Sequence, residues 1–321
     1  MSGAVTARAK GRPSGRRWVR RLAGVLGFAL LLVLLWLYRE HLAQLRHLTA
    51  GDVLLVLGLF VVFRVASAGA YLCLLRRTGC PMPLAEATVL QSVASYLSLV
   101  VPKAGGVATL AYARQTYRLP VLVHMHVLVA LPVVQLAALV VLGAALFWWL
   151  DPAVGRWAVA AVFMSGLGLF GVAKIVRRIP GGAGSVAQRV ARSLRYFPPR
   201  SVLACGVVFA VCTLLQAVRL HVVADALGAY PVFVGLVLLT ALAQVASVVS
   251  LVPGGLGVRE GILIYGATLA ALDPEQAAVA AVGDRGVALA GTIGMGLIGT
   301  WLLPRWPPKR REAQPPPPRE A

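Results

Sequence analysis

The residues that decide the fold are S-L-V-P-G-G-L-G-V-R-E-G, from Ser250 to Gly261. They lie inside a long apolar run but hold four residues that oppose a continuous helix, namely Pro253, Gly254, Gly255 and Gly257. Non-helical backbone persists at membrane depth only where protein or a wet cavity satisfies its N–H and C=O groups. Arg259 and Glu260 follow directly, and charges at such depth are usually functional. We therefore expect a broken helix beside a polar site, the alternative being an ordinary surface loop between two helices.

Composition indicates a multi-pass membrane protein, because 59% of the residues are hydrophobic and only 13% are charged. The formal net charge is +20, but the basic residues form three clusters beside apolar segments, at 8–21, 174–200 and 305–319. This arrangement is typical of cytoplasmic loops near anionic lipids and not of a nucleic-acid interface. The four cysteines have no metal-ligand spacing, so we expect apolar filling, with no metal and no cofactor.

Six segments are apolar enough to span a membrane, and each is close to the length of about 20 residues that a spanning helix needs. They are Val19–Leu37, Val53–Leu75, Val121–Leu150, Trp157–Val176, Val202–Val223 and Ala277–Leu303. Arg64 falls near the middle of the second segment, too deep to reach the surface, so we expect it to face the bundle interior. The domain boundaries follow: a basic, disordered N-terminus at 1–18, a transmembrane domain at 19–303, and a Pro-rich, basic cytoplasmic tail at 304–321.

Two further apolar segments are interrupted in similar ways. The first contains S-L-V-V-P, ending at Pro102, followed by Lys103, Gly105 and Gly106; the second contains S-L-V-P, ending at Pro253. If both were full spans, the chain would cross eight times and the basic loop 174–200 would lie outside. If both are re-entrant hairpins, six spans remain and all three basic clusters lie inside. The predicted fold is therefore an all-α membrane protein with six spans and two opposed re-entrant hairpins, an inverted repeat with halves at about 19–150 and 157–303.

The stretch P-G-G-L-G-V-R-E-G at 253–261 resembles a signature of the lysylphosphatidylglycerol synthase transmembrane, flippase-like family of bacterial membrane proteins. Weaker elements fit in order: Leu74-Leu75-Arg76-Arg77 with Gly79, the break at Pro102, and Arg285 in the last span. The resemblance implies lipid handling in a bacterial cytoplasmic membrane, since full-length synthases use this domain to move an aminoacylated phospholipid between leaflets.

The chain departs from the family pattern in two places. Where members usually carry Gly, Arg, an acidic residue and a second Arg around the first Pro-Gly signature, this sequence has Lys103, Ala104, Val107 and Leu110. The first hairpin thus keeps a single charge, which weakens the case for equal roles of the two hairpins. The chain ends at residue 321, so we expect no soluble aminoacyl-transfer domain and no synthase activity.

The candidate substrate site is centred on Arg259, in the first turn of the half-helix that follows the break. Helix N-termini favour anions, and the guanidinium fork matches a phosphate, so Arg259 is predicted to bind a phosphodiester head group. Glu260 is its counter-ion, a proton-coupling carboxylate, or a contact for a cationic head group. Asp284 and Arg285 form a second internal pair, either at the site or as a structural bridge. Lys103 reaches the same cavity or faces lipid head groups.

Other polar residues in the apolar segments are predicted to have structural roles. Gln91 and Gln244 join helices, and His124 and His126 are not catalytic, since no nucleophile–base arrangement or metal motif accompanies them. We expect a non-enzymatic protein that translocates or binds a phospholipid or lipid-linked anionic substrate, either alone, as a homo-oligomer or with a partner enzyme. The alternative is a scaffold subunit that transports nothing and supports a separate lipid- or envelope-modifying enzyme. A polar cavity between the hairpins would favour the first reading, and a filled interior the second.

Overall fold

The computed structural model describes residues 48–100, 104–150, 196–249 and 257–305, and these ranges contain eight α-helices and no strand. In chain order they are α1 Ala50–Leu75, α2 Leu84–Val100, α3 Ala104–Tyr117, α4 Val121–Leu150, α5 Pro199–Ala226, α6 Phe233–Val249, α7 Val258–Tyr265 and α8 Pro274–Leu302. Short 3₁₀ turns follow α1, α7 and α8, at Arg76–Thr78, Ala267–Ala270 and Leu303–Arg305.

Local sequence signals set the beginning and end of α1. Thr49 precedes the helix, and its hydroxyl accepts a hydrogen bond from the Asp52 backbone N–H at 3.2 Å. The Asp52 carboxylate accepts one from the Thr49 N–H at 2.9 Å, which completes a capping box. After the helix, Gly79 has a φ of 76° and ends the 3₁₀ turn in the left-handed region.

Within the described ranges, four helices are long and apolar enough to cross a membrane. With their 3₁₀ extensions they are Ala50–Thr78, Val121–Leu146, Pro199–Ala226 and Pro274–Arg305. They coincide with four of the six predicted spans. The other two predictions, Val19–Leu37 and Trp157–Val176, lie outside the described residues. Pro132 stands inside the continuous helix α4.

Both interrupted segments consist of two helices rather than one. In the first, α2 ends at Val100 and α3 begins at Ala104; in the second, α6 ends at Val249 and α7 begins at Val258. Pro102, Lys103, Pro253, Gly254 and Gly255 lie outside the described residues.

The prediction that Gly105 and Gly106 break the first segment is wrong, because both stand in the first turn of α3. N–H groups in a first turn need no helical partner, so glycine there does not interrupt a hydrogen-bond ladder. Gly105 is instead a packing residue: a Cβ on it would collide with the backbone carbonyl oxygen of Ala94 in α2. Its N–H donates to the Ser98 hydroxyl at 3.1 Å.

The two halves of the described chain are arranged alike and run in opposite directions. When α1–α4 are exchanged for α5–α8, every substantial helix contact among the described residues has a counterpart: α2–α8 corresponds to α6–α4, α1–α4 to α5–α8, and α3–α4 to α7–α8. The equivalent helices α1 and α5 pack along each other, and the Arg77 guanidinium after α1 donates to the Ser201 hydroxyl at the start of α5 at 2.8 Å. The end of one helix therefore meets the beginning of its equivalent.

Charge separates the two ends of this bundle among the described residues. One end, the arginine end, carries the exposed Arg76, Arg77, Arg114, Arg118, Arg200 and Arg305. The other, the acidic end, carries Asp52, Asp225, Asp273 and Glu275. A buried apolar cluster lies beneath each end, one around Tyr71, Met82 and Phe197 and the other around Val223, Leu236 and Leu272.

Candidate functional site

Six charged side chains meet in the interior of the bundle, between the two apolar clusters. We call them the arginine–carboxylate cluster: Arg64 on α1, Arg219 on α5, Arg259 and Glu260 on α7, and Asp284 and Arg285 on α8. Glu260 and Asp284 are 1% and 0% exposed, and Arg219 and Arg259 only 2% and 6%. Buried charges require partners, so the pairing within this cluster determines what the site can do.

Asp284 is shared by two arginines. Its Oδ1 accepts from Nε and Nη2 of Arg219 at 2.9 and 2.6 Å, and its Oδ2 accepts from Nη2 of Arg259 at 3.1 Å. The prediction that Asp284 pairs with Arg285 is therefore wrong. Consecutive residues on a helix point about 100° apart and do not face each other, so each finds a partner on another helix.

Glu260 is likewise not the counter-ion of Arg259. Its Oε2 accepts from the backbone N–H of Gly257 at 2.8 Å, and its Oε1 lies 3.6 Å from Nε of Arg285. Gly257 itself has a φ of 77°, which confirms the predicted break in helical backbone before α7. The Glu260 carboxylate thus caps the helix N-terminus at which we expected a substrate anion, so anion binding must rely on side chains.

Arg64 faces the bundle interior, as predicted, and is held by uncharged partners. Its two terminal nitrogens donate to the Ser95 hydroxyl at 2.7 Å and to the Thr292 hydroxyl at 2.9 Å. The ring of Phe60 lies 5.0 Å from the Arg64 guanidinium and 5.4 Å from that of Arg219, which ties Arg64 to the rest of the cluster. Within the described part of the chain, no carboxylate forms an ion pair with Arg64.

Arg219 was missed by the sequence analysis, although its signal is the one that identified Arg64. Both are arginines inside a predicted span, Arg64 near the middle and Arg219 four residues before the end, and a charge there must face protein or water. Nearby amides were only partly anticipated: the Gln244 amide donates to the Thr213 hydroxyl at 3.0 Å and accepts from Gln135 at 3.4 Å. These bonds join α4, α5 and α6 and confirm the predicted helix-joining role of Gln244.

Two cavities meet at the cluster. The first, of about 370 Å³, lies between α1, α2, α3, α4 and α8, and its polar lining includes Arg64, Gln91, Ser95, Ser98, Thr109 and Arg285. The second, of about 400 Å³, is lined by polar side chains that include Arg64, Gln135, Gln216, Arg219, Gln244, Arg259 and Arg285. Arg64 and Arg285 line both, so they stand where the two spaces adjoin.

The remaining polar predictions have mixed outcomes. Lys103 lies outside the described residues. His124 is buried against the Tyr71 ring, with ring centroids 6.1 Å apart, and no metal-binding group of His, Cys, Asp or Glu occurs in the described ranges. The four cysteines are free and mostly buried, which confirms their reading as apolar filling.

Comparison with known proteins identifies the family. Residues 24–296, most of the 321, match the family described as "Lysylphosphatidylglycerol synthase TM region". The chain belongs to this family. The comparisons with curated proteins and with solved structures gave no match. The family resemblance inferred from the stretch at 253–261 is thereby confirmed, and all six charged residues of the cluster lie inside the matched range.

This lysylphosphatidylglycerol synthase TM region carries its charges unevenly. Five of the six cluster residues lie in the second half, and only Arg64 comes from the first. The arrangement of helices is repeated, but the chemistry is not. The same number of residues separates Arg64 from Thr213 as separates Ser95 from Gln244, and both Arg64–Ser95 and Thr213–Gln244 are hydrogen-bonded. The hydrogen bond between equivalent positions is therefore present in both halves, but the charged Arg64 of the first half corresponds to the uncharged Thr213 of the second.

Proposed function

We propose that this chain binds a phospholipid or a lipid-linked anionic substrate inside the helix bundle and translocates it across the membrane. The observation that carries the proposal is a pair of cavities, each lined by several polar side chains, that meet at Arg64 and Arg285. A scaffold subunit needs no such space, and its interior would be filled by side chains. Charged groups in membrane-spanning helices are expensive and commonly mark substrate pathways.

The chemistry of the second cavity favours an anion. Nε of Arg259 and Nε of Arg64 are buried and have no hydrogen-bond partner in the described ranges, and both side chains line this cavity. A guanidinium offers several N–H donors in a planar fork that suits phosphate oxygens. A phosphate between these side chains would satisfy donors that the described residues leave open.

An apolar groove supports a lipid as the carrier of that anion. It has a volume of about 480 Å³ and lies between α4 and α5, lined by residues such as Ala138, Val141 and Gly206. Adjacent positions of the same helices, Gln135 and Phe209, line the second polar cavity. A lipid with its head group in the cavity and an acyl chain in the groove matches this change of polarity.

The proposed topology retains six spans and two re-entrant hairpins. The helix α7 has 8 residues and is therefore about 12 Å long, too short for a hydrocarbon core of about 30 Å. The hairpin α2–α3 begins and ends at the arginine end, whereas α6–α7 begins and ends at the acidic end. We place the arginine end in the cytoplasm of a bacterial cell, together with both termini, because short cytoplasmic loops are enriched in Lys and Arg.

The test is a lipid translocation assay in proteoliposomes with the Arg259→Ala variant. Asp284 keeps its bonds to Arg219 in this variant, so we expect a folded, inserted protein that has lost transport. Arg259→Lys retains the charge without the fork and should be impaired by about ten-fold, the effect of losing a charge-assisted hydrogen bond. Arg259→Ala combined with Glu260→Gln should not recover transport, because Glu260 caps α7 and does not pair with Arg259.

Arg114→Ala is the matched control, since Arg114 is exposed at the arginine end and lies outside both cavities. Wild-type rates for Arg259→Ala would contradict the proposed role of the cavity. A wild-type protein that binds lipid but moves none would favour the scaffold instead.

A further inference from the structure

The arginine–carboxylate cluster contains more positive than negative groups. Its four guanidiniums face two carboxylates, those of Glu260 and Asp284, so it holds two positive charges in excess. Arginine stays protonated in proteins, and the excess cannot be removed by loss of a proton. Burying such an excess is unfavourable unless an anion offsets it.

The other acidic residues that the structure describes do not supply this compensation. Of the 11 acidic residues, Asp52, Asp225, Asp273 and Glu275 lie at the acidic end. Glu86 is buried away from the cluster and accepts hydrogen bonds from the hydroxyls of Tyr112 and Tyr117 at 2.8 and 2.7 Å. The sequence at 101–103 and 250–256, which connects helices of the site, contains no acidic residue, and the first of these stretches adds Lys103.

The excess positive charge can be assigned to two of the four arginines. Among the described residues, the hydrogen bonds of Arg64 go to two hydroxyls and to no carboxylate, and Arg259 shares its carboxylate with Arg219. Arg64 and Arg259 therefore carry the two charges that lack a carboxylate of their own. Both line the second cavity, and both have a buried Nε without a hydrogen-bond partner in the described ranges.

We propose that the site takes a head group with two negative charges, a phosphate monoester or a diphosphate, whose oxygens face Arg64 and Arg259. The inference rests on the proposed lipid-binding function and narrows its substrate class. A phosphodiester such as phosphatidylglycerol carries one negative charge and would leave one arginine uncompensated. An aminoacylated lipid brings an ammonium group into a site that already has excess positive charge, so it fits less well.

The experiment compares lipids that differ only in head group, bound to the full chain in detergent and measured by native mass spectrometry. At pH 8 we expect phosphatidic acid to bind at least about ten-fold more tightly than phosphatidylglycerol of the same acyl chains, the effect of one additional charge-assisted contact. The preference should shrink as the pH falls through about 6, where a phosphate monoester loses its second charge.

Each outcome separates the inference from the function on which it rests. Equal binding of the two lipids overturns the inference but leaves lipid binding intact. If inorganic phosphate binds and neither lipid does, the result supports a site for an anion with two negative charges but overturns the proposal that the ligand is a lipid. If neither lipid nor inorganic phosphate binds, both fall.

Variants at Arg64 test the charge directly. Arg64→Gln retains a hydrogen-bonding side chain beside Ser95 and Thr292 but removes one positive charge. The ratio of the affinity for phosphatidic acid to that for phosphatidylglycerol should therefore fall toward one. Arg64→Lys should retain part of the preference, since it retains the charge. Arg114→Gln, on the exposed face of α3, removes a charge outside the cavity and should leave the ratio unchanged. A preference that survives in Arg64→Gln would contradict the assignment.

Discussion

At the scale of single residues, the bundle interior depends on one carboxylate. Asp284 is fully buried and bonds to Arg219 and Arg259, which come from different helices. Arg219 retains a partner when Arg259 is removed, but both lose theirs when Asp284 is removed. Loss of Asp284 should therefore destabilise the protein more than loss of Arg259.

We expect Asp284→Asn to lower the free energy of unfolding by about 3–5 kcal/mol, the cost of leaving buried charges unpaired. The measurement is denaturant unfolding of the purified protein in detergent. Asp225→Asn is the control, because Asp225 is exposed at the acidic end, and it should change stability by less than about 0.5 kcal/mol. Similar losses in both variants would show that the shared ion pairs do not stabilise the fold.

The sequence predicted which charged side chains lie in the bundle interior more successfully than it predicted their ion-pair partners. A buried arginine in an apolar segment is visible without a structure, so Arg64 was found and Arg219 could have been found. The pairing depends on which helix faces which, and adjacent letters such as Arg259 and Glu260 suggest a contact that helix geometry forbids. The short distance in sequence was misleading because consecutive helical side chains diverge.

At the scale of elements, the helix pairs α2–α3 and α6–α7 are held together by different contacts. In the first, the Glu86 carboxylate of α2 accepts from Tyr112 and Tyr117 of α3. In the second, Gly235 of α6 packs directly on the backbone of Leu269 and Ala270, and Val232 N–H donates to the Ala270 carbonyl at 2.9 Å. Side-chain hydrogen bonds thus hold the first helix pair together, whereas close backbone contact holds the second at the equivalent place.

The crossing of α2 and α3 provides a matched pair of substitutions. Gly105→Ala should destabilise the protein by about 1–3 kcal/mol, because the added methyl meets the Ala94 carbonyl and the helices must separate. Gly106→Ala should be neutral or stabilising by up to about 1 kcal/mol, since the nearest atom, Cδ1 of Leu128, is 4.0 Å away. Unfolding in detergent measures both, and equal effects would mean that α2 and α3 do not pack closely at Gly105.

At the scale of the whole molecule, the sequence predicted the order of the long helices and an inverted repeat, and the helix contacts show how the two halves correspond. Apolar length located the four long helices, and Pro and Gly located the interruptions. The repeat was visible only as a short similarity around Pro102 and Pro253, because apolar helices pack through many interchangeable side chains. The repeat is therefore clear in the helix contacts and only faint in the amino-acid sequence.

Topology can be measured with single cysteines in a chain whose four native cysteines are replaced by alanine. A cysteine near Gly184, or one replacing Arg200, should react with a membrane-impermeant reagent only after the cells are opened. A cysteine replacing Asp273 should react in intact cells. Labelling of the position near Gly184 from outside would mean that the interrupted segments are true spans.

The paired helix contacts also bear on the conformational equilibrium of the chain. If the halves exchange their conformations, each contact that is lost is replaced by its counterpart, so the apolar packing contributes little to the free-energy difference between the two forms. That difference must then come from positions where the halves are unlike, which are chiefly the charged residues of α7 and α8. We expect substitutions there to change the populations of the two forms, and the ligand that binds these charges to do the same.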